Sequence, residues 1–447
     1  MSSGSLRRAG AVLLVLGVVG TVSAAPAVAD PTPAAGEGVQ RPPVAIAAAG
    51  DCPIPNAPDV PAKPWALQRV FLDELWGDND SNDKKNKNEH SGKGVTVAVI
   101  DTGVDNTNPQ LAGPGKVVEG PDLLGAATPA GQQRPEGNSF TDKVGHGTKV
   151  AGIIAAARMN GVGFVGLAKD ATILSIRQND AEGHGSVPTL VQAINEAVKK
   201  GAGVINISQD VRVELDPNRP AGAPLFQGES DLAQALDKAE DAGVVVVASS
   251  GNDGQEGPTY PAQYDTVLAV GASDRNNERA AFSQYGDFVD VVAPGVDMLS
   301  TVPGHGQCTD NGTSFSAPYV SGLAAILKGM HPDWKPQQIR TVIEQTAQRT
   351  EHGRNKYIGW GVVDPVKAVE YTTVPGPSES PHPDAPTKLD AAPLVAQPLG
   401  LAETQADRDR RTGTFVLGAG GLLVAGLAGG AIVARDLGRR RKGRSEG

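Results

Sequence analysis

Aromatic residues are scarce in this chain, at 4%, while 56 glycines and 34 prolines are spread through its 447 residues. That balance argues against a helical bundle and for a loop-rich α/β protein with extended tails. Positive charge is in deficit. A formal net charge of −10 excludes electrostatic nucleic-acid binding by the chain as a whole. Cysteine is nearly absent. Cys52 and Cys308 cannot build a disulfide framework, which leaves one bond between them or two unrelated thiols. No internal repeat is visible, and the length suits one large domain with appendages, or two domains.

The ends carry what the middle lacks, long hydrophobic runs. Arg7 and Arg8 precede the apolar "AGAVLLVLGVVGTV" at 9–22, and "AVA" at 27–29 is a small-x-small cleavage site. Residues 1–29 therefore read as an export signal, with an uncleaved anchor as the alternative. Near the other end, "TFVLGAGGLLVAGLAGGAIVA" at 414–434 is 21 residues without a charge, enough to cross a bilayer. "RDLGRRRKGR" follows. Clustered basic residues beside a span stay cytoplasmic, so 435–447 is expected inside and the body outside. A buried core helix is the competing reading of 414–434, but a Pro-rich stretch at 372–413 separates it from the body.

Residues 30–64 are Pro-rich and aperiodic, which predicts an extended arm. The body is expected at 65–371. Within it, "VTVAVI" (95–100), "TILSIR" (172–177), "GVINIS" (203–208), "GVVVVAS" (243–249) and "TVLAVGA" (266–272) are continuous apolar runs, as in strands buried on both faces. Helical patterns at 147–157, 187–201 and 230–243 alternate with them. This order predicts a mostly parallel sheet flanked by helices, with functional groups beyond the carboxyl ends of its strands.

Four such ends carry polar groups that are ordinary singly and informative together. Asp101 follows "VTVAVI"; Asp105, past Gly103, is its competitor. His146 stands between two glycines in "VGHGTKVAGIIAAA", ahead of an apolar helix. A second "GHG" at His184 lies in a turn and lacks that helix. Asn252, in "SSGNDG", is either a turn former or an amide donor. Ser314, in "DNGTSFSAPYVSGLAAIL", is either a helix cap or a nucleophile. A serine nucleophile needs a base to take its proton, and an imidazole base needs a carboxylate to orient it. The chain supplies all of these, plus a donor for a developing oxyanion.

"VIDTGVD", "GHGTKVAG", "SSGNDG" and "NGTSFSAPYVSG" resemble the signature segments of subtilisin-like serine proteases. The resemblance covers about 94–370. It implies a three-layer α/β/α fold, with Ser314 as nucleophile, His146 as base, Asp101 as orienting acid and Asn252 as oxyanion donor. The second oxyanion donor would be the Ser314 N–H at a helix start. Signal, arm, stalk, span and basic tail together resemble the mycosins, membrane-anchored subtilases of type VII secretion systems. That resemblance implies protein or peptide substrates and a membrane secretion complex as partner. A docking role without emphasis on catalysis and an independent cell-surface protease are the other readings. Two departures stand out. Mycosins usually carry more cysteines, and "SQDVRVEL" replaces the "SLGG"-like glycines common in subtilases after this strand. No cofactor is expected. Subtilases often bind structural calcium, but no dense Asp/Asn loop here compels it. One Cys52–Cys308 bond would tie the arm to the loop ahead of Ser314.

Overall fold

β1 (Thr96–Asp101) is buried from its second residue onward, and its side chains divide between two cores. Val97 and Val99 face one, Ala98 and Ile100 the other, as the alternation of a strand requires. A computed structural model describes residues 53–76, 90–127, 136–180, 183, 185–211, 223–349, 351–376, 379–382 and 403–442. The proposed signal peptide, His184, Cys52 and most of the Pro-rich stretch after the body lie outside these.

Two short helices, α1 (Trp65–Gln68) and α2 (Leu72–Leu75), precede β1. After it come β2 (Val117–Asp122), α3 (Leu124–Ala127), α4 (His146–Ala155), β3 (Thr172–Arg177), α5 (Val187–Lys199), β4 (Val204–Ile207), α6 (Glu229–Asp241), β5 (Val245–Ser249) and β6 (Val267–Ser273). β7 (Val291–Pro294), the pair β8 (Met298–Thr301) and β9 (Gln307–Asp310), α7 (Thr313–Met330), α8 (Pro336–Thr346) and α9 (Pro365–Val369) complete the body. The seven-stranded sheet runs β2-β3-β1-β4-β5-β6-β7, parallel throughout.

α4, α7 and α8 cover the core on the Val97 side, and α5 and α6 cover the other. The result is the expected three layers. From β1 the chain crosses to the edge strand β2, steps back to β3 between β2 and β1, and then adds β4 on the opposite flank of β1. The order therefore reverses between β1 and β4, and in such sheets functional groups gather beyond the carboxyl ends of the strands at that switch point.

β8 and β9 form a separate antiparallel pair. The stretch 53–64 lies extended along it. Asn56 N donates to Pro303 O (3.0 Å), Ala57 N to His305 O (2.8 Å), and Gln307 N to Pro58 O (3.2 Å). The close approach explains Gly306, where an added Cβ would stand 1.9 Å from Ala57 O.

The second compact unit, 386–447, contains α10 (Gln405–Lys442). Its apolar side chains, Phe415, Leu422, Leu423 and Ile432 among them, are exposed. By length and composition the helix suffices to cross a membrane.

Candidate active site

β1 ends on Asp101, whose carboxylate is buried. Asp101 Oδ1 accepts from Thr102 N at 2.8 Å and lies 2.8 Å from His146 Nδ1. A carboxylate can only accept, so Nδ1 donates, and Nε2 becomes the basic nitrogen of the neutral ring. Nε2 is buried and has no hydrogen-bond partner. Asp105, the competing carboxylate, points elsewhere and caps its own turn by accepting from Thr107 N and Oγ1.

Two glycines let His146 reach β1. Gly145 is left-handed at φ 80°, which turns the chain into α4. Gly147 packs so tightly that a Cβ there would lie 2.0 Å from Gly103 O and 3.1 Å from Asp101 Cβ. Asp142, four residues before His146, ties this turn together. Its Oδ1 accepts from Gly145 N (2.7 Å), Val144 N (3.2 Å) and Thr102 Oγ1 (2.9 Å), and its Oδ2 from Thr148 N (2.8 Å) and Oγ1 (2.6 Å). Burial raises its carboxyl above the ordinary carboxylate range; the Thr148 bonds oppose that, and the nearby Asp101 charge adds to it.

For His146, burial pushes the imidazole down. The Asp101 charge, the bond to Asp101 and the Asp142 charge outweigh burial, and the net direction is upward. Its ring packs against Phe315, with centroids 5.4 Å apart.

Ser314 is the second residue of α7, buried, with Oγ donating to Ser208 O at 3.2 Å. Asn252 follows β5. Its Oδ1 accepts from Thr313 N (2.9 Å) and Thr313 Oγ1 (3.0 Å). A backbone N–H can only donate, so the oxygen is fixed on that side and the NH₂ arm is turned away from Thr313. The start of α7 adds amides with no partner inside the helix, in the field of its positive end.

The fold thus brings Asp101, His146, Asn252 and Ser314 together from four separate parts of the chain, through the Asp101–His146, His146–Phe315 and Asn252–Thr313 contacts. Sequence reading missed Asp142, Thr102, Ser208 and Thr313, which hold those four. Asp142 had a local signal, its spacing ahead of the "GHGT" turn. Thr313 and Ser208 had none, because their partners lie 61 and 106 residues away. Cys308 lies on β9, and no free cysteine occurs among the described residues. Nor do those residues contain a group of three or more His, Cys, Asp or Glu arranged to hold a metal ion.

Comparisons with known proteins agree on one family. The sequence profile of the subtilase family, Peptidase S8, matches residues 92–361. Subtilisin Savinase of Lederbergia lenta is 39% identical over 276 residues, which are 61% of this chain and 90% of that protein. Among solved structures, MycP1 from Mycobacterium smegmatis is 31% identical with a TM-score of 0.61, covering 74% of this chain and 90% of that one. A structure of MycP1 from the ESX-1 type VII secretion system is also 31% identical at a TM-score of 0.61, covering 75% and 92%. The chain belongs to the subtilase family of serine proteases.

Proposed function

We propose that this protein is a membrane-anchored, extracytoplasmic serine endopeptidase in which Asp101, His146 and Ser314 act as a catalytic triad. The supporting observation is the 2.8 Å Asp101–His146 contact at Nδ1, with Nε2 of the same ring left without a hydrogen-bond partner. Ser314 Oγ attacks the scissile carbonyl and gives its proton to Nε2 as the C–O bond forms. The carbonyl oxygen becomes an oxyanion, which the Asn252 NH₂ and the Ser314 N–H stabilise. One such donor is worth about 2.7–4 kcal/mol in a serine protease. His146 then protonates the leaving amine, and water releases the acyl group by the same steps in reverse order. Substrates are proteins or peptides.

A fluorophosphonate probe tests the assignment directly. It should label Ser314 covalently; Ser314→Ala should abolish labelling and His146→Ala should cut it severely. A label on a different serine would overturn the triad.

The finer parts of the reading rest on other observations. α10 is the proposed anchor, with 435–447 cytoplasmic and the protease outside. The likeness to MycP1 from a type VII secretion system supports a place in such a membrane complex. We also propose that Cys52 pairs with Cys308. The neighbouring stretch 53–64 already lies along the β8–β9 pair that carries Cys308. Two free sulfhydryls in the unreduced, denatured protein would refute the bond.

A further inference from the structure

α4 carries one lysine among small and apolar residues. Lys149, one turn after His146, has a side chain only 2% exposed. Its Nζ lies 2.7 Å from Asp310 Oδ2, and that side chain is 5% exposed. A lone ammonium at such depth would carry a heavy desolvation penalty, which a well-placed carboxylate offsets. Asp310 is the last residue of β9, four before Ser314, and its Oδ1 accepts from Asn311 N at 2.8 Å. The pair joins the helix that bears His146 to the turn that leads into Ser314.

Position matters here because His146 and Ser314 do not hold each other. His146 Nε2 has no partner, and Ser314 Oγ donates to Ser208 O. Their separation depends on how α4 is held against residues 310–315, where the His146 ring packs on Phe315 and the polar links decide the rest. The other links to the hairpin grip the backbone of α4 from β8. Ser300 Oγ donates to Lys149 O (2.6 Å) and Thr301 Oγ1 to Thr148 O (2.9 Å). Among the described residues, the hydrogen-bonded link from α4 to the strand that runs into Ser314 is the Lys149–Asp310 pair.

We propose that Lys149 and Asp310 are positioning residues, a buried ionic clamp that sets His146 against Ser314 for proton transfer. The proposal rests on the triad reading above. Neither residue touches the substrate. The clamp also sits in the field that His146 feels. Asp101 from β1 and Asp142 from the preceding turn favour the imidazolium, Lys149 on α4 disfavours it, and Asp310 from β9 neutralises Lys149.

The test is the rate of fluorophosphonate labelling of the full chain in detergent, followed against pH. Lys149→Met leaves the Asp310 charge unpaired and should move the acid limb to higher pH. Asp310→Asn leaves the Lys149 charge unpaired and should move it to lower pH. The double variant Lys149→Met/Asp310→Leu removes both charges and fills the space. It should fold, return the limb to near the wild-type position, and label at least about tenfold more slowly on the plateau, as a lost alignment requires. A double variant that labels at the wild-type rate overturns the clamp, as do single variants that fold and share the wild-type limb. If the single variants do not fold, the plateau of the double variant decides alone. Wild-type protein that is not labelled at Ser314 overturns the triad reading and the clamp with it. Wild-type labelling with unmoved variants overturns the clamp only.

Discussion

The Ser314 carbonyl accepts a 2.9 Å bond from the Ser208 hydroxyl. In an unbroken helix that carbonyl would take the N–H four residues on, but that residue is Pro318, which has none. The proline therefore frees an acceptor on the proposed nucleophile's own residue, and the end of β4 fills it. Ser208 is itself braced: Asn206 Nδ2 donates to its Oγ at 2.8 Å, and Ser321 Oγ donates to Asn206 Oδ1 at 2.9 Å. Ser208→Ala should leave a buried carbonyl unpaired, at a cost of about 1–3 kcal/mol. Denaturant unfolding should show that loss, together with slower labelling of Ser314. Unchanged stability would mean that water or another donor replaces the hydroxyl.

Gly147 offers a steric test of how α4 meets β1. A Cβ there would stand 2.0 Å from Gly103 O, and Gly103 is itself held at φ 107° against Thr141 O. Backbone on both sides cannot yield as a side chain would. Gly147→Ala should destabilise the protein by about 1–3 kcal/mol or more and suppress labelling. Gly113→Ala is the control, because the nearest atom to its added Cβ, on Lys116, is 3.7 Å away. It should stay within about 0.5 kcal/mol of wild type.

These glycines show how far the sequence could be read. The two flanking His146 announced a close backbone approach, and Gly103 O is the backbone that approaches Gly147. Buried strands with apolar runs were legible, so β3 was expected at the observed bounds 172–177 and β1, β4, β5 and β6 within two residues at each end. β2 was not, because "VVEGPD" is only partly buried and carries polar residues and a proline. β7, β8 and β9 are four residues each, too short for a periodic signal. The four candidate residues stood out because each borders an apolar element: Asp101 ends β1, Asn252 follows β5, His146 opens α4 and Ser314 lies in the first turn of α7. The sequence carries no signal that Lys149 is buried, and nothing near it in the chain discloses Asp310, 161 residues away.

His146 titrates above an ordinary histidine because the Asp101 and Asp142 charges outweigh burial. Only the neutral ring can accept the Ser314 proton, so labelling should rise as pH passes through that raised value. The sign for stability is opposite. The protonated ring stabilises the fold fully below the unfolded-state pKa, and that contribution fades as pH climbs through the folded value. Asp101→Asn removes the charge and its preference for the Nδ1–H tautomer. The acid limb should move to lower pH while the plateau falls by roughly 10³–10⁴-fold. An Asp101→Asn protein with a normal plateau would exclude Asp101 as the orienting acid.

The membrane reading separates anchorage from chemistry. α10 spans Gln405–Lys442 and suffices in length and apolar content to cross a bilayer, whereas the site residues all lie in the other compact unit. Tethering raises effective concentration toward membrane partners without adding any contact at the site. Two alterations should therefore have opposite signatures. Ending the chain before Gln405 should move the protein from the membrane fraction to the soluble one while Ser314 still labels at nearly the full-length rate. Ser314→Ala should leave the protein in the membrane and remove labelling alone. For the proposed secretion complex, deleting the whole protein should disrupt the assembly and halt export, and Ser314→Ala should keep the assembly and lose only substrate cleavage. A point variant as disruptive as the deletion would make catalysis inseparable from docking. Intact secretion in both strains would leave an independent surface protease as the better account.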